Sequence, residues 1–227
     1  MNSLRCTDMT LHRWDVSPQE ALRIQERVNK RVLLQNTLER IGTVAGVDVS
    51  FGDREAVAAI GVFDYESLDV VEESIATSPF SFPYIPGLLT FREGPVIIQA
   101  FRHLTQQPDV IIFDGQGIAH PRGAGIATHL GVLLNRATIG CAKSRLVGEF
   151  VMPNETKGSM KPLMFRNETV GAVVRTRHHV KPVYVSPGHL IDLKSAIDIV
   201  LHCCRRFRLP EPIRWAHKRA QTKRNSE

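Results

Sequence analysis

Two apolar runs, each closing on an aspartate, dominate the pattern of apolar and polar positions. In TVAGVDVSF, residues 43–51, Ala45, Val47, Val49 and Phe51 alternate with Val44, Gly46, Asp48 and Ser50, the period of a strand with one buried face. Asp48 falls on the less apolar side. In DVIIFDGQG, residues 109–117, a continuous apolar run from Val110 to Phe113 predicts a central strand covered on both faces. It stops at Asp114, and Gly115 and Gly117 then allow a close approach of backbone to ligand.

The same patterning orders the rest of the chain. Ser17 and Pro18 open a helix to about Leu34, whose apolar side (Leu22, Val28, Val32, Leu33) is expected to pack across the sheet without a chemical role. After the Asp48 strand come Ala56–Phe63 and Leu68–Ile75, joined by such short links that the three strands form an antiparallel meander. Residues 77–91, TSPFSFPYIPGLLTF, predict a proline-stiffened loop with aromatic tips. Pro95 then stands at the first position of a helix that feeds the Asp114 strand. A helix over about Ile126–Asn135 and a strand, ATIGCA, ending at Lys143 follow. Residues 150–168 read as a surface excursion. A hairpin of Glu168–Val174 and Pro182–Ser186, a helix from about Asp192 to Phe207 and a short helix near Pro212 complete the chain.

Three antiparallel strands, helix, strand, helix, strand is the layout of a ribonuclease H-like α/β domain: a central mixed sheet, a meander plus parallel strands, flanked by helices. In that layout the first strand lies beside the fourth, which would bring Asp48 and Asp114 together. The whole chain, 1–227, is expected to be one such domain.

Composition changes this picture little; charge changes it more. The 227 residues are 43% hydrophobic and 23% charged, as in globular proteins, and no apolar run is long enough to span a membrane. The first 15 residues lack the apolar core of a signal peptide, and the four cysteines show no zinc or redox spacing, so the expected compartment is the cytoplasm. The net charge of +6 lies entirely beyond residue 204: eight Lys and Arg there face only Glu211 and Glu227. A basic tail on a neutral body favours a polyanionic partner, although a merely solubilising tail has the same composition.

Buried carboxylates are costly unless paired or holding a metal, so two of them on adjacent strands suggest a divalent cation. A third acid is needed, and Glu93 is the candidate; a helix-start glutamate favoured by the macrodipole is the other reading. Three carboxylates suit Mg²⁺, with Mn²⁺ as a substitute. Such a site activates water and stabilises charge on a scissile phosphate. The rival readings are an ATPase whose first hairpin resembles AGVDVSFG, for which 227 residues leave no second domain, and a metal-free nucleic-acid-binding module, against which the three acids argue. His178, His179 and His189 sit in turn and loop contexts unsuited to ligands of that metal.

The segments VAGVDVSF, FPYIPGLLTFREGP, PDVIIFDGQGIAHPRGAGIATHLG, TIGCAKSRL, VSPGH and LPEPIRWAH, in this order and spacing, closely resemble the endonuclease V family. The resemblance runs from about Leu11 to Arg219 with a break around residues 152–170. It implies a metal-dependent nuclease that recognises deoxyinosine in DNA, or inosine in RNA as the alternative. It cuts the second phosphodiester on the 3′ side, leaving 3′-hydroxyl and 5′-phosphate ends. Compact length leans towards the DNA type, acting as a monomer in DNA repair. The resemblance places Asp48, Glu93, Asp114 and His217 at the metal, with Lys143 near the scissile phosphate. Pro83, Tyr84, Ile85 and Pro86 become a wedge between bases, and Gly87, Leu89, Gly115, Gly125 and Gly140 a pocket for the flipped base. His120 and Arg122 become contacts to the nucleic-acid backbone. Two positions depart from the family: Arg122 is followed by Gly-Ala-Gly, where relatives carry bulkier or basic residues, and Cys141 stands where valine is common.

Overall fold

The computed structural model describes residues 11–224. Strands β1 (Thr43–Phe51), β2 (Glu55–Asp64) and β3 (Val70–Pro79) form the expected antiparallel meander. Strand β4 (Val110–Phe113) lies parallel beside β1, and β5 (Ala137–Ala142) parallel beside β4. Strand β6 (Met160–Phe165) pairs with β7 (Glu168–Val174), which pairs with β8 (Val183–His189), which closes antiparallel on β5. The result is one eight-stranded mixed sheet of order β3-β2-β1-β4-β5-β8-β7-β6. The meander, the β1–β4 adjacency and the mixed sheet are those of the ribonuclease H-like layout.

Helices cover both faces because the central strands are apolar on both. On one face α2 (Leu89–Arg102) and α3 (Ile126–Leu134) pack on Ala45, Val47, Ile111 and Phe113. On the other, α4 (Leu193–Cys203) and α5 (Glu211–Arg224) pack on Val44, Ile112 and Ile139. A Cβ at Gly46 would stand 2.2 Å from the Pro212 backbone, so α5 lies directly on β1.

Several elements differ from expectation, each for a tertiary reason. Helix α1 (Pro18–Asn29) begins with the expected Ser17 cap but stops short of Leu34. The Leu33 backbone instead bonds to the end of β8, donating to His189 Nδ1 at 3.2 Å and accepting from Leu190 N at 2.7 Å. Nor does α1 cross the sheet: its buried stripe of Ala21, Ile24 and Val28 packs with Phe82, Leu88 and Phe91, leaving Leu22 exposed. Helix α2 starts at Leu89, so Pro95 is interior and not its first residue. Residues 150–168 are not wholly an excursion, since β6 arises there as an edge strand, a place where a strand proline such as Pro162 is tolerated. Helix α4 ends at Cys203, not Phe207, because the Arg208 guanidinium donates to the carbonyls of Lys143 and Pro182, both at 2.7 Å, drawing the chain across β5 and β8. The predicted short last helix is α5, 14 residues long.

Buried histidines tie the amino-terminal strap to this frame. His12 Nδ1 donates to the Arg13 carbonyl at 2.7 Å, so its Nε2 accepts, and His129 Nε2–H must be the donor across their 2.7 Å contact. His129 Nδ1 is then a buried lone pair without a partner. Burial holds both imidazoles below their ordinary pKa and pushes His120 down to about 4. A histidine with a depressed folded-state pKa stabilises fully above its unfolded value and loses that contribution as pH falls. As pH falls from about 6.5 to about 4, wild type should therefore lose about 1.4 kcal/mol per pH unit more than His120→Gln in thermal melts, a comparison in which the carboxyls titrate alike in both proteins. Parallel profiles for the two would contradict the assignment.

Candidate active site

The register Val47↔Phe113 makes Asp48 and Asp114 the next positions along β1 and β4, Asp48 within β1 and Asp114 directly after the end of β4. Glu93 reaches the same place from the second turn of α2. Its carboxyl is pushed up to about 8, first by desolvation and then by the charges of Asp48 and Asp114, so the three acids share one electrostatic site. Asp48 is also held above its ordinary value: burial outweighs the favourable hydrogen bond from His217.

The basic tail folds back onto this site through α5. His217 Nδ1 lies 2.6 Å from Asp48 Oδ2, and Gln221, one turn on, contacts His217 Nε2 at 2.9 Å. The carboxylate takes the Nδ1 proton, leaving Nε2 to accept from the Gln221 amide, so the imidazole can take up a proton there. Lys143, directly after β5, is ion-paired with Asp114. The rest of the tail charge is partly spent within the fold: Arg219 pairs with Glu73 at 2.8 Å and Arg214 with Glu211 at 2.6 Å.

Beside the acids opens a cavity of about 300 Å³. Gly87, Leu89, Gly115 and Gly125, four of the five residues expected at a base pocket, line it together with Lys143 and Tyr84–Pro86. Gly140 does not line it. A Cβ there would come within 2.3 Å of Gly117 N and 2.5 Å of the Gln116 backbone, so Gly140 lets the Gly115–Gly117 loop lie flat on β5. The segment Ile85–Leu88 is a turn closed by Leu88 N to Ile85 O at 2.9 Å, with Pro86 second and Gly87 third at φ +80, a position only glycine takes without strain. Phe82 is buried against Phe91, and Phe80 packs edge-on to Phe51 beneath the Arg92 guanidinium. Tyr84 alone projects, 70% exposed.

His120 and Arg122 are turned inward. His120 is buried, and its Nε2 donates to the Gly87 carbonyl at 2.9 Å; Arg122 donates to the same oxygen at 3.0 Å. Sequence reasoning missed Gln25, Thr90, Gln116 and Ser144–Leu146 in the cavity wall. For Gln25 a signal existed, a polar residue within the otherwise apolar stripe of α1. For Ser144–Leu146, a loop without periodicity, none did. His179 pairs with Glu155 and His189 with the Leu33 backbone, both away from the acids. Cys141, Cys203 and Cys204 are buried.

A carboxylate within the first strand and another just past the fourth strand of a ribonuclease H-like sheet, with a lysine and a histidine at hand, define a nuclease of that fold class. The sequence profile of the endonuclease V family matches residues 24–218. Endonuclease V of Methanothrix thermoacetophila is 54% identical over 207 residues, which cover 91% of this chain and 92% of that one. The crystal structure of endonuclease V from Streptomyces avermitilis superimposes with a TM-score of 0.89 at 40% identity, covering 94% of this chain and 95% of that one. Endonuclease V of Ciona intestinalis in complex with a 24mer DNA containing an inosine followed by a ribo-adenosine does so at 0.82 and 29%, covering 92% and 98%. This chain belongs to the endonuclease V family.

Proposed function

We propose that this chain is a metal-dependent DNA-repair endonuclease that recognises deoxyinosine and hydrolyses the second phosphodiester bond on its 3′ side, leaving 3′-hydroxyl and 5′-phosphate ends. The observation that carries the reading is the convergence of two helix starts on one cavity. Neither α2, capped by Leu88, nor α3, capped by Gly125, has a side-chain cap, and both first turns open onto the lining. Such ends carry partial positive charge and favour hydrogen-bond acceptors, even though Phe91 N–H already donates to the Leu88 carbonyl and Ala127 N–H to that of Gln116. Deamination of adenine replaces the donor amino group at C6 by an acceptor carbonyl. The cavity therefore favours hypoxanthine over adenine, and its close backbone walls oppose the extra amino group of guanine. The inosine-containing DNA held by the Ciona relative supports the same assignment.

The donor set fits Mg²⁺. The charges of Asp48 and Asp114 help to raise the pKa of Glu93, and that of Asp114 helps to raise the pKa of Asp48, a strain that a hard divalent cation would relieve. Among the described residues no three His, Cys, Asp or Glu side chains yet converge as a metal-binding group, with Asp48 turned to His217 and Asp114 to Lys143. Asp48, Glu93 and Asp114 would hold the ion by turning inward, and His217 would complete the set or orient its water. When bound, the ion supplies positive charge to the scissile phosphate and lowers the pKa of the attacking water. Released from Asp114, Lys143 faces the phosphate.

Tyr84, at the free tip of an anchored loop, is the wedge that holds the opened base step apart. Tyr84→Ala should weaken binding to an inosine duplex more than to an inosine single strand, by about 1–3 kcal/mol, since only the duplex must be unstacked. Titrations showing equal losses on both would make Tyr84 a loop residue only.

A further inference from the structure

One carbonyl in the cavity wall carries three donors. Gln25 Nε2 donates to Gly87 O at 2.9 Å, His120 Nε2 at 2.9 Å and Arg122 Nη2 at 3.0 Å. A carbonyl oxygen has two lone pairs, so this one is saturated. The donors come from two places far apart in sequence, α1 and the loop that precedes α3. They are locked to one another as well. Arg122 Nε donates to Gln25 Oε1 at 2.7 Å, and Gln25 Nε2 also reaches the Ala124 carbonyl at 3.2 Å. Both ends of the Gln25 amide are thus assigned, and the residue is 1% exposed. His120 Nδ1 accepts from the backbone N–H of Arg122 at 3.2 Å and of Ala124 at 3.4 Å, which fixes the tautomer that donates at Nε2. Gly87 itself links the exposed Tyr84 tip to the start of α2, and through its positive φ it is the turn's most deformable residue.

We infer that Gln25, His120 and Arg122 form a positioning clamp for base recognition: they hold the Gly87 peptide and thereby fix the wall shared by the wedge and the base cavity. This rests on the proposed reading of the cavity as the inosine pocket. It assigns a role to α1 and replaces the expected backbone contacts of His120 and Arg122 by a role exerted through Gly87. A fixed wall spends no ordering entropy when the base enters, so its loss falls on affinity for the base and not on contacts with phosphates.

The test is equilibrium binding in EDTA, where no metal-dependent cleavage interferes, to two single strands identical except for deoxyinosine or an abasic site at one position. Wild type should prefer the inosine strand. In Gln25→Met and in Arg122→Met that preference should fall at least tenfold, with binding to the abasic strand unchanged. Arg122→Met, at a half-buried loop position, keeps the test available if Gln25→Met does not fold. The salt dependence separates clamp from phosphate contact: a lost contact lowers the slope of log K against log salt by about 0.7 on a single strand, whereas a lost clamp leaves it unchanged. Variants that keep the full preference, or lose affinity for both strands with a reduced slope, overturn the inference. If wild type itself shows no preference, the reading of the cavity fails first.

Discussion

Glu93→Gln should abolish cleavage and at the same time make the metal-free protein more stable. Both effects follow from one environment. Burial and the neighbouring Asp48 and Asp114 push the Glu93 carboxyl up to about 8. A carboxyl with a folded-state pKa above its unfolded value destabilises the fold once the unfolded chain ionises, so stability falls as pH rises from about 4.5 to about 8. Glutamine has nearly the same shape and cannot ionise. The melting temperature of Glu93→Gln in EDTA should therefore exceed that of wild type at pH 8, by about 2–4 °C per kcal/mol of relieved strain, and match it near pH 4.5. Turnover should fall by well over about a hundredfold, since even outer-shell partners of metal ligands cost 10–100-fold. Saturating Mg²⁺ should raise the melting temperature of wild type and leave that of the variant nearly unchanged. If Glu93→Gln is no more stable than wild type at pH 8 and cleaves at an undiminished rate, Glu93 is an ordinary helix residue.

The parts of this site that were legible in the sequence are those set by strand periodicity. An apolar run ending on Asp114, beside an alternating run carrying Asp48, fixes both acids once β1 and β4 are neighbours, and they are. The start of α2 was not legible. Pro95 fits the first position of a helix so well that the six residues before it read as loop, yet the turn at Pro86–Gly87 starts the helix and packing of Phe91 and Val96 holds the proline inside it. Glu93, expected before the first residue of that helix, instead stands in its second turn, where the charges of Asp48 and Asp114 act on it. The Gly87 clamp was illegible because it joins residues about 60 and 35 positions apart through one backbone oxygen, and no local pattern encodes such a contact. The tail was legible as charge but not as structure. Its basic residues announced a polyanion, whereas the docking of α5 on β1 depends on the absent side chain of Gly46.

The second large effect concerns the base. On the proposed reading, the positive ends of α2 and α3 favour an acceptor in the cavity, and only the deaminated base presents an acceptor carbonyl where adenine presents an amino group. A site built for one hydrogen-bonding pattern can reject the other by roughly 10⁴–10⁵. Selectivity of that order should appear in kcat/KM, since it arises as the base is seated. On the proposed reading, in which Asp114 holds the metal, Asp114→Ala should remove the cutting while leaving inosine-selective binding in EDTA in place. The measurement that bears most directly on this account is a cleavage assay on two DNA strands that differ only in carrying deoxyinosine or deoxyadenosine at one position, with product ends mapped in Mg²⁺ and in EDTA. The account predicts a single cut at the second phosphodiester 3′ to inosine, dependent on Mg²⁺, with the adenine strand intact. Equal cutting of both strands, or a cut that persists in EDTA, would contradict it.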